Sequence, residues 1–144
     1  MKIQKKVTVL LALFIVLAAV VPVHAETGSY SLYGQVTPYY KYISGVRAGL
    51  SIGGDGYATC SGEIELYVNY DSEITITLQR SRDGNSWSNV RSWSGSFSGI
   101  GSHQLEKGYY VDSGYVYRVK NTARVKDGSD VLETATVYSP EREY

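Results

Sequence analysis

Apolar and polar residues alternate in short runs along most of this chain, and this period of two constrains the fold more than any other feature. Successive side chains of a β-strand point to opposite faces, so a strand with one buried face carries an apolar residue at every second position. Turns containing glycine separate the runs, at 53–56, Asp83-Gly84 and 127–130. The pattern is typical of an antiparallel sandwich or barrel.

The first three runs have the clearest alternation. Their apolar faces consist of Val46, Ala48, Leu50 and Ile52, of Ala58, Cys60, Gly62, Ile64 and Leu66, and of Ile74, Ile76 and Leu78. The third run is rich in the β-branched residues that favour strands. Each run therefore predicts a strand whose apolar side faces the core.

Four further strands follow with weaker patterns. We predict a fourth strand over Trp87–Trp93, a serine- and glycine-rich link over 94–102, and a short fifth strand around 103–106. The inward faces of the last two strands consist of Tyr115, Tyr117 and Val119, and of Ala135 and Val137. Seven strands at this spacing predict a single, all-β, immunoglobulin-like antiparallel β-sandwich.

The first 25 residues have the three parts of a secretory signal peptide. Lysines begin the segment, an apolar run occupies 7–21, and Val23-His24-Ala25 resembles a cleavage site. We therefore expect a signal peptide helix at 1–25 and a secreted, extracellular protein that begins at Glu26. A tyrosine-rich, partly ordered extension follows at 26–40, and the β-sandwich domain occupies 41–140.

The charge of the exported chain argues against two classes of partner. The leader holds three of the 14 basic residues and none of the 14 acidic ones, which leaves a net charge of −3 after cleavage. A binder of nucleic acid or of an anionic membrane needs a basic stripe. We therefore expect neither nucleic acid nor, once the leader is removed, a membrane as partner.

Cys60 is the only cysteine, so no disulfide can form within one chain. It falls on the apolar side of the second predicted strand, where a free cysteine behaves as a small buried hydrophobe. We expect an inert structural residue rather than a functional thiol.

The run Gly114-Tyr115-Val116-Tyr117-Arg118-Val119 resembles the sixth strand of fibronectin type III domains. In that strand a tyrosine forms a corner by bonding its hydroxyl to nearby backbone. The resemblance implies that Tyr115 is the corner tyrosine and that Tyr117 belongs to the core.

A second resemblance covers nearly all of the chain after the leader. It is carried by Ala48 to Ile52, Ala58 to Gly62, Ile74 to Gln79, Asp83-Gly84, Trp87, Ser92 to Ser94, Gly114 to Val119 and Glu133 to Ser139. In order and spacing these pieces are similar to a family of small exported proteins from Gram-positive bacteria that has no assigned function. The resemblance implies a secreted β-sandwich and brings no catalytic residue.

The segment from Ser81 to Trp87 resembles the Asp-box hairpin of sialidases, one residue short between aspartate and tryptophan. Local turn chemistry explains this pattern. Asp83 caps the turn with its side chain, Gly84 allows the backbone conformation that the turn needs, and Trp87 covers the hairpin. We expect a structural hairpin, with a ligand-binding hairpin as the alternative.

Catalytic and metal-binding patterns are weak. His103 is the only histidine left after the leader, and it lies in a glycine-rich stretch without an evident catalytic partner. Glu63 and Glu65 share one strand and predict a solvated face. Asp55, Asp127 and Asp130 lack the regular spacing of a calcium loop. We therefore expect no catalytic residue, no metal ligand and no cofactor, with the aspartate turns left as weak calcium candidates.

Core packing explains only part of the 14 tyrosines. The others either offer contact area for a ligand or cover the sheet faces of a small domain that has no disulfide, and the sequence leaves both interpretations open. The candidates for ligand contact are Trp87, Trp93, Tyr109 and Tyr110. We expect a non-enzymatic extracellular binding module for a protein or a glycan. The alternative is a carbohydrate-binding module with an exposed aromatic row, and the third candidate is a small hydrolase with His103 beside a carboxylate.

Overall fold

The computed structural model describes residues 40–144. The predicted signal peptide at 1–25 and nearly all of the predicted extension at 26–40 lie outside the described residues. Within the described part no helix is long and apolar enough to span a membrane.

The described chain consists of eight antiparallel strands in two sheets. They are β1 (Ile43–Ile52), β2 (Tyr57–Leu66), β3 (Asp71–Ser81), β4 (Ser88–Ser98), β5 (Gly101–Tyr110), β6 (Val116–Asp127), β7 (Asp130–Tyr138) and β8 (Arg142–Glu143). One sheet has the order β1-β2-β5 and the other β4-β3-β6-β7, with β8 beside the start of β6. The predicted all-β sandwich is confirmed, and the short β8 is an addition to the seven predicted strands.

The core lies between the two sheets, where the alternation predicted it. The predicted inward residues of β1, β2, β3 and β7 are buried, except that Ile52, at the end of β1, is half-buried. Cys60 is fully buried, and burial raises the pKa of its thiol to about 12. The thiol therefore stays protonated and faces the core.

A polar contact ties the sheets together at the centre of this core. Asn121 of β6 is fully buried, and its Nδ2 donates to the carbonyls of Arg47 at 2.7 Å and Glu63 at 3.1 Å. Gly62 makes room for this contact: a Cβ there would lie 2.5 Å from Ile76 Cγ2 and 2.8 Å from Asn121 Cγ. The sheets thus approach closely only because β2 has no side chain at this position.

The predicted serine- and glycine-rich link at 94–102 is wrong. β4 continues to Ser98 and β5 begins at Gly101, so only two residues separate the strands. The serines lie on the outer face of the sheet, where Ser92 and Ser94 hydrogen-bond to Thr77 and Thr75 of β3, both at 2.8 Å. Serine is common in loops, but here its hydroxyl extends a ladder of polar cross-strand pairs.

The corner prediction for Tyr115 is also wrong. Tyr117 is 1% exposed and its hydroxyl donates to the carbonyl of Asp112 at 2.6 Å, five residues upstream. Tyr115 precedes β6, and its hydroxyl accepts a hydrogen bond from Arg82 instead. The corner therefore lies two residues further along, at the tyrosine that the resemblance assigned to the core.

Candidate functional site

Three arginines and three aromatic rings gather at one end of the sandwich, which we call the upper end. Strands β3, β5 and β7 end there, and β4 and β6 begin there, so antiparallel pairing brings their terminal residues together. The arginine–aromatic cluster consists of Arg80, Arg82, Trp87, Tyr115, Arg118 and Tyr138.

Asp83 shapes the loop between β3 and β4. Its Oδ1 accepts hydrogen bonds from the backbone N–H of Ser86 at 2.8 Å and of Asn85 at 2.9 Å, and from the Ser81 hydroxyl at 2.8 Å. These donors hold the pKa of the carboxyl well below its usual range. Gly84 has a φ of 71°, a conformation that favours glycine. The capping role predicted for Asp83 is confirmed, although the connection runs six residues, from 82 to 87, rather than forming a tight hairpin.

Arg118 of β6 is held between two aromatic rings. Its guanidinium carbon lies 3.9 Å from the ring centre of Trp87 and 4.3 Å from that of Tyr138. Its Nε donates to Oε1 of Gln79 on β3 at 2.9 Å. Cation–π contact on two rings fixes the guanidinium plane. The arginine thus joins the loop tryptophan to β7.

The ring of Tyr115 contacts the guanidinium groups of the other two arginines, Arg80 and Arg82. The guanidinium carbons of Arg80 and Arg82 lie 4.5 and 5.1 Å from the centre of its ring. The Arg82 Nη2 donates to the Tyr115 hydroxyl at 2.9 Å, and this hydrogen bond lowers the pKa of the phenol. Arg80 also pairs with Asp112 at 3.2 Å. Within residues 40–144, Arg82 and Arg118 form no ion pair.

The Arg82 side chain lines two clefts at the upper end. The first, about 480 Å³, is lined by Arg82, Tyr115, Tyr144 and Glu143 together with Gly114 and Val116. The second, about 460 Å³, is lined by Arg82 with Arg80, Tyr115, Trp87 and four polar residues of the β3–β4 loop and the adjoining strand ends. Both clefts combine an exposed guanidinium with aromatic surface. A ligand at this end would therefore meet charge and flat apolar area together.

The four aromatic residues predicted to contact ligand are not brought into one row. Trp87 belongs to the cluster. Trp93 packs edge-on against Tyr109 with ring centres 6.2 Å apart, and Tyr110 packs edge-on against Tyr57 at 5.0 Å. Tyr109 and Tyr110 line a third cleft at the upper end, of about 450 Å³, which Arg80 and Asp112 also line.

Sequence reasoning missed the arginines and Tyr138. Arg80 and Arg82 both precede the capped turn, and Arg118 lies on the outward phase of β6, but no basic residue stands next to Trp87, Tyr115 or Tyr138 in the sequence. The partners are set by register across strands: Arg118 lies opposite Gln79. A single sequence does not give that register.

Within residues 40–144, His103 makes no hydrogen bond or ion pair with a carboxylate. Its Nε2 is 2.9 Å from the carbonyl of Gly99, and its ring stacks on Phe97 with centres 5.3 Å apart. Glu63 instead contacts Arg47 at 2.8 Å and the Ser102 hydroxyl at 2.6 Å. None of the three clefts at the upper end is lined by His103, the histidine on which the hydrolase hypothesis depends. Nor do residues 40–144 contain a group of three potential metal ligands.

No family model and no curated protein sequence matches the chain. Among solved structures it is similar to Bacteroides uniformis beta-glucuronidase 2 covalently bound to cyclophellitol-6-carboxylate aziridine, with 16% sequence identity and a TM-score of 0.41. The match covers 65% of this chain and 12% of that chain.

Proposed function

We propose that this protein is an extracellular, non-enzymatic binding module whose recognition surface is the arginine–aromatic cluster. One observation carries the proposal: Arg82 is exposed, is held on the Tyr115 ring and lines two clefts, yet it has no ion-pair partner within residues 40–144. A guanidinium held in place loses less freedom on binding than one that is free. The Arg82 guanidinium is therefore preorganised to bind a partner from outside the chain.

The geometry favours a ligand that has an anionic or strongly accepting group beside a flat apolar face. A guanidinium offers paired N–H donors that match a carboxylate, sulfate or phosphate in two places at once. Trp87 and Tyr115 supply the flat surface, and aromatic residues dominate the energetics of many interfaces. Both a protein and a glycan can present this combination.

A carbohydrate-binding module is the second candidate function, and one observation favours it. The cleft beside Trp87 is lined by the hydroxyl-bearing Ser81, Ser86 and Ser88. Sugars are bound by aromatic rings together with such hydrogen-bonding groups. Trp93, Tyr109 and Tyr110 do not line this cleft, so the candidate ligand there is a short saccharide.

The test is to profile the protein lacking its leader on glycan and bacterial-surface arrays, and then to measure the affinity of three variants for any ligand found. We expect Arg82→Gln and Trp87→Ala each to weaken binding by about tenfold or more, while the free energy of unfolding of Arg82→Gln stays within about 0.5 kcal/mol of the parent.

Arg91→Gln is the matched control, because Arg91 is an exposed arginine on β4 that lines none of the three clefts. Its affinity should equal that of the parent protein. Binding that survives Arg82→Gln and Trp87→Ala unchanged would move the site elsewhere on the molecule and overturn the proposal.

A further inference from the structure

The sandwich is open along the side where β4 and β5 lie next to each other. Each is the last strand of its sheet, and within residues 40–144 the two strands do not pair with one another. The third cleft lies at the upper end of this opening. Residues 88–90 at the start of β4 line it on one side, and residues 109–112 at the end of β5 and just beyond line it on the other. Its volume of about 450 Å³ is that of sites that hold small molecules.

The β4 wall of this cleft contains a β-bulge. Leu78 of β3 pairs with Arg91 and Gln79 pairs with Asn89, so Val90 is an extra residue with no residue opposite it on β3. A bulge interrupts the alternation of a strand, and bulges are common beside functional sites, where they redirect side chains. The irregular part of β4 therefore coincides with the part that lines the cleft.

Two tyrosines give the cleft its aromatic surface. Tyr109 is 37% exposed and Tyr110 is 66% exposed, and each packs edge-on against another ring, Trp93 and Tyr57 respectively. The Tyr57 ring lies over Gly108 of β5, where a Cβ would overlap it. Rings that neighbouring rings already hold in place lose less freedom when a ligand binds.

The polar groups of the cleft balance one another. Arg80 and Asp112, the two charged residues in its lining, are paired at 3.2 Å, and Arg80 is also held on the Tyr115 ring. The amide of Asn89 is oriented by the hydrogen bond that its Oδ1 accepts from Gln79 at 2.9 Å. Donors and acceptors thus stand side by side without net charge. Asp112 disfavours an anionic ligand here, and Arg80 disfavours a cationic one.

We propose that the third cleft binds a short, uncharged saccharide. Neighbouring hydroxyls of a sugar ring accept hydrogen bonds from a guanidinium and donate to a carboxylate at the same time, and Arg80 with Asp112 offers both. The C–H groups on one face of the ring are apolar and pack on the tyrosine surface. This site does not rest on the function proposed above, because Arg82 and Trp87 do not line the third cleft.

An NMR titration of the protein lacking its leader tests the site. The probes are four uncharged tetrasaccharides: cellotetraose, xylotetraose, chitotetraose and maltotetraose. We expect at least one of them, at roughly millimolar concentration, to shift the amide signals of Asn89, Tyr110 and Asp112. With all four sugars, unchanged signals at these three amides would overturn the proposal, and so would shifts confined to another part of the molecule.

Variants then test the residues. Tyr109→Ala and Asp112→Ala should each weaken binding of the active tetrasaccharide by about tenfold or more. The Asp112 side chain is 80% exposed, so this variant should keep the urea midpoint of the parent protein. Tyr67→Ala is the matched control, since Tyr67 is an exposed tyrosine that lines none of the three clefts. Affinity that stays unchanged in Tyr109→Ala and Asp112→Ala would overturn the proposal.

Arg82→Gln separates this site from the arginine–aromatic cluster. It should bind the active tetrasaccharide as tightly as the parent protein does, although it should weaken binding of a ligand at the cluster. Loss of tetrasaccharide binding in Arg82→Gln would place the sugar at the cluster and overturn the third-cleft site. Failure of the array ligands to depend on Arg82 would overturn the proposed function and leave the third-cleft site standing.

Discussion

The core and the arginine–aromatic cluster use nearby tyrosines in opposite ways. Tyr117 is buried, and its hydroxyl is satisfied by the backbone of Asp112. Tyr115, two residues earlier, has a half-exposed ring that carries two guanidinium groups. Tyr117 lies within β6 and faces the core, whereas Tyr115 lies just before β6 begins, at the upper end of the sandwich. The end of the strand therefore separates a tyrosine that stabilises the fold from one that belongs to the surface.

The largest effect is expected in the core, at Gly62. In Gly62→Ala the added Cβ would collide with Ile76 and Asn121 and force the sheets apart. We expect a loss of about 2–3 kcal/mol in the free energy of unfolding, measured by chemical denaturation. Gly54→Ala is the matched control, because a Cβ at Gly54 meets nothing within 4 Å. Equal stability of the two variants would refute the close approach of the sheets at Gly62.

Asn121→Ala should produce the next effect. The substitution removes the amide that donates to the carbonyls of Arg47 and Glu63 and leaves a small cavity between the sheets. We expect a loss of about 2 kcal/mol in the free energy of unfolding. Asn69→Ala, at an exposed position, should change it by less than about 0.5 kcal/mol. A stable Asn121→Ala variant would mean that the buried amide does not hold the sheets together.

Cys60→Ala should have a smaller effect of about 1 kcal/mol, since it removes one small buried group. The native thiol should resist labelling at neutral pH, because it is buried and its pKa is raised to about 12. After denaturation it should label readily. Rapid labelling of the folded protein would place Cys60 outside the core.

The parts of the fold that the sequence predicts are those where burial alone sets the pattern. In β1, β2 and β3 every second residue is apolar, and these faces are the ones that meet in the core. In β4 and β5 the inward residues remain partly exposed and alternate with serine and glycine, so the strands resemble a loop in sequence. Their length follows from pairing with β3 and β2, which no local pattern encodes.

The candidate site was predicted only in part, for a related reason. Asp83 and Gly84 act within one loop, so their roles follow from local sequence. Arg118 reaches Trp87 and Tyr138 across three separate segments, and the choice between Tyr115 and Tyr117 as the corner depends on where the chain crosses between sheets. The contacts of Arg118 and the position of the tyrosine corner both depend on the register between strands that are distant in sequence.

Chemical unfolding of Tyr117→Phe and Tyr115→Phe tests the division between core and cluster most directly. Each substitution removes one hydroxyl, and the two positions lie two residues apart. Tyr117→Phe should lower the free energy of unfolding by about 1 kcal/mol or more, because it leaves the Asp112 carbonyl without its buried donor. Tyr115→Phe should change it by less than about 0.5 kcal/mol, because its hydroxyl only accepts from the exposed Arg82. A larger loss in Tyr115→Phe, or equal losses in both, would contradict the account.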